Sequence, residues 1–111
     1  MLLGDMQDWK PNVASIIEYA ADIYPESEVV SKLVSGEVHR TNYREVCVRS
    51  RKLASKLSKD GYKQGDVIAT LALNTFRHLE AYYGVSGMGA VVHTLNFRLR
   101  PEQAAYITNH A

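Results

Sequence analysis

The stretch "VIATLALNTFRHLEAYYGVSGMGAVVHTL", residues 67–95, decides the fold of this 111-residue chain. Two apolar runs, Val67–Leu73 and Ala90–Leu95, flank a segment with helical spacing. The first run is nearly continuous in apolar residues, which predicts a strand that is covered on both faces. Strand, helix and strand in this order predict a βαβ unit with parallel pairing and a right-handed connection. The fold class is therefore α/β.

The helix between these strands is predicted to begin with Asn74 as its N-cap and to turn Phe76, Leu79 and Tyr83 inward. It ends in the glycine-rich segment "GVSGMG", Gly84–Gly89. Phosphate-binding loops follow a strand and lie at a helix N-terminus. These glycines come at the end of a helix and before a strand. We therefore interpret them as glycines for close helix-to-sheet packing and chain reversal.

Upstream of this unit, the sequence predicts two helices and a hairpin. Helical spacing from Asn12 to Tyr24 predicts the first helix, and Pro25 ends it because the residue before a proline is pushed out of the helical region. Two strand-like runs around Ser35-Gly36 predict a β-hairpin. Asn42 is the predicted N-cap of the second helix, with Glu45 placed to return a hydrogen bond as in a capping box.

The second helix is predicted to bury one face and to stop at Gly61, after a last turn rich in lysine. Pro101 is predicted to open the final helix, with Glu102 in its first turn. That helix is followed by no further strand, and two parallel strands alone would leave open sheet edges. We therefore expect residues 1–111 to be an incomplete subdomain. The buried face of the second helix comprises Tyr43, Val46, Cys47, Ser50, Ala54 and Leu57.

Composition excludes several classes of protein. Thirteen basic and 12 acidic residues give a net charge of +1, which provides no concentrated basic face for nucleic acid. The locally basic segment from Arg40 to Lys59 is interpreted as a solvated helix face. The single cysteine, Cys47, excludes an intrachain disulfide and is interpreted as a buried structural thiol. No signal-peptide core is seen in "MLLGDMQDWK" and no run reaches the length of a membrane span, so we expect a reducing, cytoplasmic setting.

The four histidines, His39, His78, His93 and His110, have no metal-ligand spacing. His93 lies near the carboxyl end of a predicted parallel strand, where ligands of open α/β sheets bind. Asn96 and Arg98 share this location. A hydrogen-bonded structural histidine, a loop-shaping asparagine and a surface arginine form the simpler interpretation. The residues alone predict no catalytic, cofactor-binding or metal-binding site.

A family resemblance covers nearly the whole chain from about Trp9. The pattern "RHLE…GMGAV.HTLN.RL.PEQ…I.NHA" closely resembles the amino-terminal part of AMP-forming fatty acid–CoA ligases of the medium- and long-chain branch. These belong to the adenylate-forming superfamily of acyl-CoA synthetases, luciferases and adenylation domains. "ASIIEYAADIYPESEVVS", "SGEVHR" and "NYREVCVRSRKLASKL" agree with it. One departure is Asn96-Phe97, where the family usually has Asn-Pro, and it leaves the shape of this loop open.

The resemblance implies a parent enzyme that converts a fatty acid and ATP to an acyl-adenylate and then transfers the acyl group to coenzyme A. ATP, Mg²⁺ and coenzyme A are the cofactors expected for that enzyme. The Ser/Thr/Gly-rich phosphate loop, the aromatic-Gly-x-Thr-Glu stretch and the later Asp, Arg and Lys residues of the family have no counterpart in this chain. We therefore carry over no catalytic or nucleotide-binding residue and expect the segment to bind none of these cofactors.

Three hypotheses follow from the sequence. The first is a structural, non-catalytic N-terminal segment of a fatty acid–CoA ligase, with the remainder of the large domain as its partner. The second is a stand-alone binding or dimerisation module that uses the open sheet edge. The third is a small ligand-binding protein that uses the strand ends near His93.

Overall fold

A computed structural model describes residues 4, 8–10 and 12–111, so most of the N-terminal stretch interpreted above lies outside the described residues. Two separate two-stranded sheets form, one antiparallel and one parallel, with helices around them. The predicted fold class, with a hairpin and a parallel-strand unit, is confirmed. The elements are α1 (Val13–Ile23), β1 (Glu28–Lys32), β2 (Val38–Asn42), α2 (Tyr43–Lys59), β3 (Val67–Thr70), α3 (Phe76–Gly87), β4 (Val91–Thr94) and α4 (Pro101–His110).

Asparagine caps set the starts of α1 and α2. The Asn12 Oδ1 accepts a hydrogen bond from the Ser15 N–H at 2.8 Å, and the Asn42 Oδ1 accepts one from the Glu45 N–H at 2.9 Å. Among the described residues, the Glu45 carboxylate makes no return bond to the Asn42 N–H, so the predicted capping box is half formed. Gly61 follows α2 with a φ of 99°, which confirms its terminating role.

Helix α3 begins one residue later than predicted, with Thr75 and not Asn74 as its N-cap. The Thr75 side chain makes no capping hydrogen bond. Instead, the N–H of Phe76 donates to the Oγ of Ser31 in β1 at 2.8 Å, and this bond is buried. The Phe76 ring also stacks on His39 of β2, with ring centroids 3.7 Å apart. Ser31, 45 residues before Phe76, thus accepts the hydrogen bond of a backbone N–H in the first turn of α3. A prediction from the local sequence could not include this contact, and it therefore placed the N-cap at the wrong residue.

The prediction that β3 is covered on both faces is wrong for this chain. Each strand has four residues, in parallel register from Val67↔Val91 to Thr70↔Thr94. Helix α3 packs against both strands. Val67 and Val91 nevertheless remain 47% and 51% exposed, and Leu71 after β3 is 67% exposed. The apolar run therefore has a second face that no described element covers.

The core lies between α1, α2 and α3, where Ile17, Val46 and Cys47 are buried together. Close approach of α2 and α3 depends on Gly84: a Cβ there would lie 2.8 Å from the backbone oxygen of Ser50. The prediction that Gly84 packs against the sheet is thus wrong, because Gly84 packs against helix α2. Gly89, with a φ of 81°, is the glycine that reverses the chain into β4.

Candidate functional site

The carboxyl ends of β3 and β4 are joined by a small set of polar contacts. Thr70 closes β3, and its carbonyl accepts a hydrogen bond from the Leu95 N–H at 2.8 Å. Its side-chain Oγ1 lies 3.0 Å from the Nε2 of His78, in the first turn of α3. The His78 side chain therefore connects α3 to the end of β3. This contact was not anticipated from the sequence, which gave no signal for a pairing between a strand end and the following helix.

His93, Asn96 and Arg98 lie in one short segment, but the structure gives them different surroundings. His93 is half-buried in β4, in register with Ala69. The Oδ1 of Asn96 accepts a hydrogen bond from the Arg98 N–H at 2.9 Å, and the Asn96 carbonyl accepts one from the Leu99 N–H at 3.3 Å. Asn96 thus shapes a turn, as an asparagine side chain commonly does. Nothing in this geometry aligns a nucleophile, an acid and a base.

Phe97 occupies the second position of this turn, where proline is favoured. Phe97→Pro is therefore expected to stabilise the chain by about 0.4–1 kcal/mol, because proline restricts the unfolded chain more than the folded turn. Arg98→Pro is the matched control, since it removes the N–H that donates to Asn96 and should destabilise the chain. Urea denaturation of both variants measures these changes. Destabilisation by Phe97→Pro would show that the turn differs from the family's Asn-Pro loop.

The remaining histidines and the cysteine serve packing. His39 stacks on Phe76, and His110 stacks on Tyr106 at 5.5 Å. Burial raises the pKa of the Cys47 thiol, which disfavours the reactive thiolate. In the described part of the chain, no group of three His, Cys, Asp or Glu side chains could hold a metal ion. None of the described helices has the length and apolarity needed to cross a membrane.

An ion pair between α2 and α3 was missed by the sequence analysis. The Nε of Arg49 donates to the Oε1 of Glu80 at 2.6 Å, and Glu80 is only 5% exposed. The hydrogen bond to Glu80 raises the pKa of Arg49. The two residues are 31 positions apart, so no local pattern could have joined them. The pair orients α3 relative to α2, because a buried carboxylate requires a partner.

Large apolar side chains remain exposed on two sides of the fold. On α1, Ile17 faces the core, whereas several other apolar side chains of the same helix are exposed. On the parallel sheet, the outer face is apolar as described above. The exposed residues on and beside α1 are Trp9, Ile16, Tyr19, Ile23 and Tyr24.

The fold agrees with what the chain is similar to. A family model described as "AMP-binding enzyme" matches residues 17–111. The chain therefore belongs to the AMP-binding enzyme family. The fold is also similar to a solved structure of a putative long-chain-fatty-acid CoA ligase from Rhodopseudomonas palustris, with a TM-score of 0.73 and 28% sequence identity. The match covers 86% of the present chain and 23% of the ligase chain.

Curated relatives give a finer comparison. A long-chain-fatty-acid–CoA ligase of Thermus thermophilus is 53% identical over 106 residues, which is 96% of this chain and 20% of the relative. A medium-chain-fatty-acid–CoA ligase of Ectopseudomonas oleovorans is 49% identical over 110 residues, 99% of this chain and 20% of the relative. The chain thus spans about a fifth of the length of these relatives. The resemblance to the medium- and long-chain ligases is confirmed.

Proposed function

We propose that residues 1–111 form the N-terminal segment of a fatty acid–CoA ligase, and that this segment braces the large domain without performing its chemistry. The observation that carries the proposal is the 53% identity to about one fifth of a long-chain-fatty-acid–CoA ligase. The uncovered outer face of β3 and β4 supports it, because the remainder of such a domain would bury Val67, Leu71 and Val91.

The proposed whole enzyme uses ATP, Mg²⁺ and coenzyme A to form an acyl-adenylate and then an acyl-CoA. The described residues do not fit these groups. The glycines at 84–89 lie at the carboxyl end of α3, where carbonyl oxygens disfavour a phosphate. Several carboxylates are held in separate ion pairs such as Arg40–Glu28, which is exposed at both ends. The segment's contribution is therefore the placement of β3 and β4 by three packed helices, and the enzyme is proposed to act in the cytoplasm.

A second candidate is a dimerisation module, favoured by the sheet edges. Each described sheet has two strands, so each has edges with unpaired backbone groups. Two copies could pair through such an edge about a twofold axis. Sedimentation distinguishes the candidates: a concentration-dependent dimer of the 111-residue chain favours the module, and a compact monomer counts against it.

The ligase proposal is tested with a chimera. The 106 aligned residues of the Thermus thermophilus ligase are replaced by those of this chain, and acyl-CoA formation from ATP, a long-chain fatty acid and coenzyme A is measured. We expect activity from the chimera, none from a deletion of the segment, and none from the 111-residue chain alone. A second readout, release of pyrophosphate, reports the first half-reaction separately.

Two outcomes would contradict the proposal. A chimera that folds, as judged by circular dichroism and a single cooperative melt, but makes no acyl-adenylate would refute the assignment to this part of the ligase. Pyrophosphate release by the 111-residue chain alone would refute the non-catalytic role. Sequencing the transcript beyond the codon for Ala111 adds a direct check, since a fragment continues into a strand and a phosphate loop.

A further inference from the structure

A surface depression of about 300 Å³ lies between α2 and the amino-terminal half of α3. Three cationic side chains line it, Arg49 and Lys52 from α2 and Arg77 from α3. The buried carboxylate of Glu80 and the side chain of Leu53 complete its walls. Arg49 and Lys52 are three positions apart, so the helix turns both toward the same side. The depression therefore gathers positive charge from two helices of a chain whose net charge is only +1.

Most of this positive charge is not neutralised within the described part of the chain. Arg49 is paired with Glu80, whereas neither Lys52 nor Arg77 forms an ion pair with a described carboxylate. Glu80 and, more weakly, Glu45 raise the pKa of Arg49. Three further cations of α2 are each paired with a carboxylate outside the depression: Arg44, Arg51 and Lys56. The depression thus holds the positive charge of Lys52 and Arg77 in excess.

Two of the three cations are held in place without a ligand. The Nε of Arg49 donates to Glu80 at 2.6 Å, and its two Nη groups make no hydrogen bond to a described residue. The guanidinium carbon of Arg77 lies 5.4 Å from the centroid of the Phe76 ring, a cation–π contact with a side chain that is 6% exposed. A side chain that is already positioned loses less conformational entropy when its remaining N–H groups bind an oxyanion.

We propose that this depression is a binding site for a phosphate dianion, either free or as a monoester, held by Arg49, Lys52 and Arg77. Guanidinium groups match the oxygens of a phosphate in geometry, and a lysine ammonium adds a point charge. The charge of Glu80 is offset by Arg49, so the two excess positive charges match those of the dianion. The site goes beyond the ligase proposal, which uses the outer face of the parallel sheet and not the surface between α2 and α3.

The proposal is tested with inorganic phosphate, titrated into the full chain at a constant ionic strength set with sodium chloride. Binding is followed through the amide NMR signals of Leu53, Arg77 and Glu80, which we expect to shift with saturation. Lys52→Gln and Arg77→Gln should each weaken binding about three- to fivefold, as expected for the loss of one exposed charge contact. Both replaced side chains are exposed and lie outside the ion pairs, so the variants should keep the fold.

Lys59→Gln is the matched control. Lys59 lies two turns beyond Lys52 on α2 and is also exposed, but it does not line the depression. This change should leave phosphate binding within about 1.5-fold of the unaltered chain, because exposed charges at that distance are largely screened. Absence of saturable shifts in the unaltered chain would overturn the proposal. Equal losses in Lys52→Gln and Lys59→Gln would overturn it as well, since they would show only a diffuse attraction of anions to α2.

Vesicles distinguish the two sources of such a phosphate group. Phosphatidic acid in phosphatidylcholine vesicles presents the monoester as a lipid headgroup. Co-sedimentation that Lys52→Gln weakens and Lys59→Gln does not would assign the site to a headgroup. Saturable shifts with inorganic phosphate but no co-sedimentation would assign it to a soluble phosphate. Acyl-CoA formation by the chimera is a separate readout, so the failure of this site and the failure of the ligase proposal are distinguishable.

Discussion

Gly84→Ala is expected to destabilise the chain by roughly 2–3 kcal/mol, the cost of overpacking a close contact. A Cβ at this position would lie 2.8 Å from the Ser50 backbone oxygen and 3.3 Å from the Cδ2 of Leu53. Backbone cannot rotate away as a flexible side chain can, so α2 and α3 would have to separate. Their separation would also stretch the 2.6 Å bond between Arg49 and Glu80.

Gly87→Ala is the control, on the same helix and with the same change in chemistry. Its Cβ would meet only the Cβ of Ala14, at an ordinary 3.8 Å. Replacing a helical glycine with alanine then stabilises by about 0.5–1 kcal/mol. Urea denaturation of both variants gives the two changes in the free energy of unfolding. Equal stability of Gly84→Ala and Gly87→Ala would contradict the close contact between α2 and α3.

The elements that the sequence predicted correctly are those whose signals are local. The first turn of α2 is capped by Asn42, as the pattern indicated, and Gly61 and Gly89 adopt the positive φ that glycine permits. Pro101 opens α4 for the same local reason. The buried face of α2 was also predicted correctly, since the prediction depends only on helical spacing.

The features that sequence reasoning missed depend on contacts between distant residues. Ser31 satisfies the start of α3 from another sheet, so Asn74 was wrongly assigned as the cap. Gly84 was assigned to packing on a strand, whereas its neighbour is Ser50 of α2. The apolar run from Val67 correctly indicates a strand, but a run of this kind does not say which elements cover each face, and Val67 and Leu71 remain exposed.

Val46→Ala is the second substitution with a large expected effect, a loss of about 2–3 kcal/mol. Val46 is 0% exposed and belongs to the buried cluster between α1 and α2. Val29 of β1 and Leu79 of α3 pack against this cluster. Removing two methyl groups forfeits about 1.6 kcal/mol of transfer free energy, and the space left behind adds to this cost.

Val48→Ala provides the matched control, because Val48 lies two residues further along α2 and is 41% exposed. This change should alter the free energy of unfolding by no more than about 0.5 kcal/mol. Denaturant slopes should be equal in both variants, since the surface exposed on unfolding hardly differs. A small effect of Val46→Ala would mean that the helices of this chain do not form a fixed core. The segment could then hold β3 and β4 in place only when the rest of a larger domain packs against it.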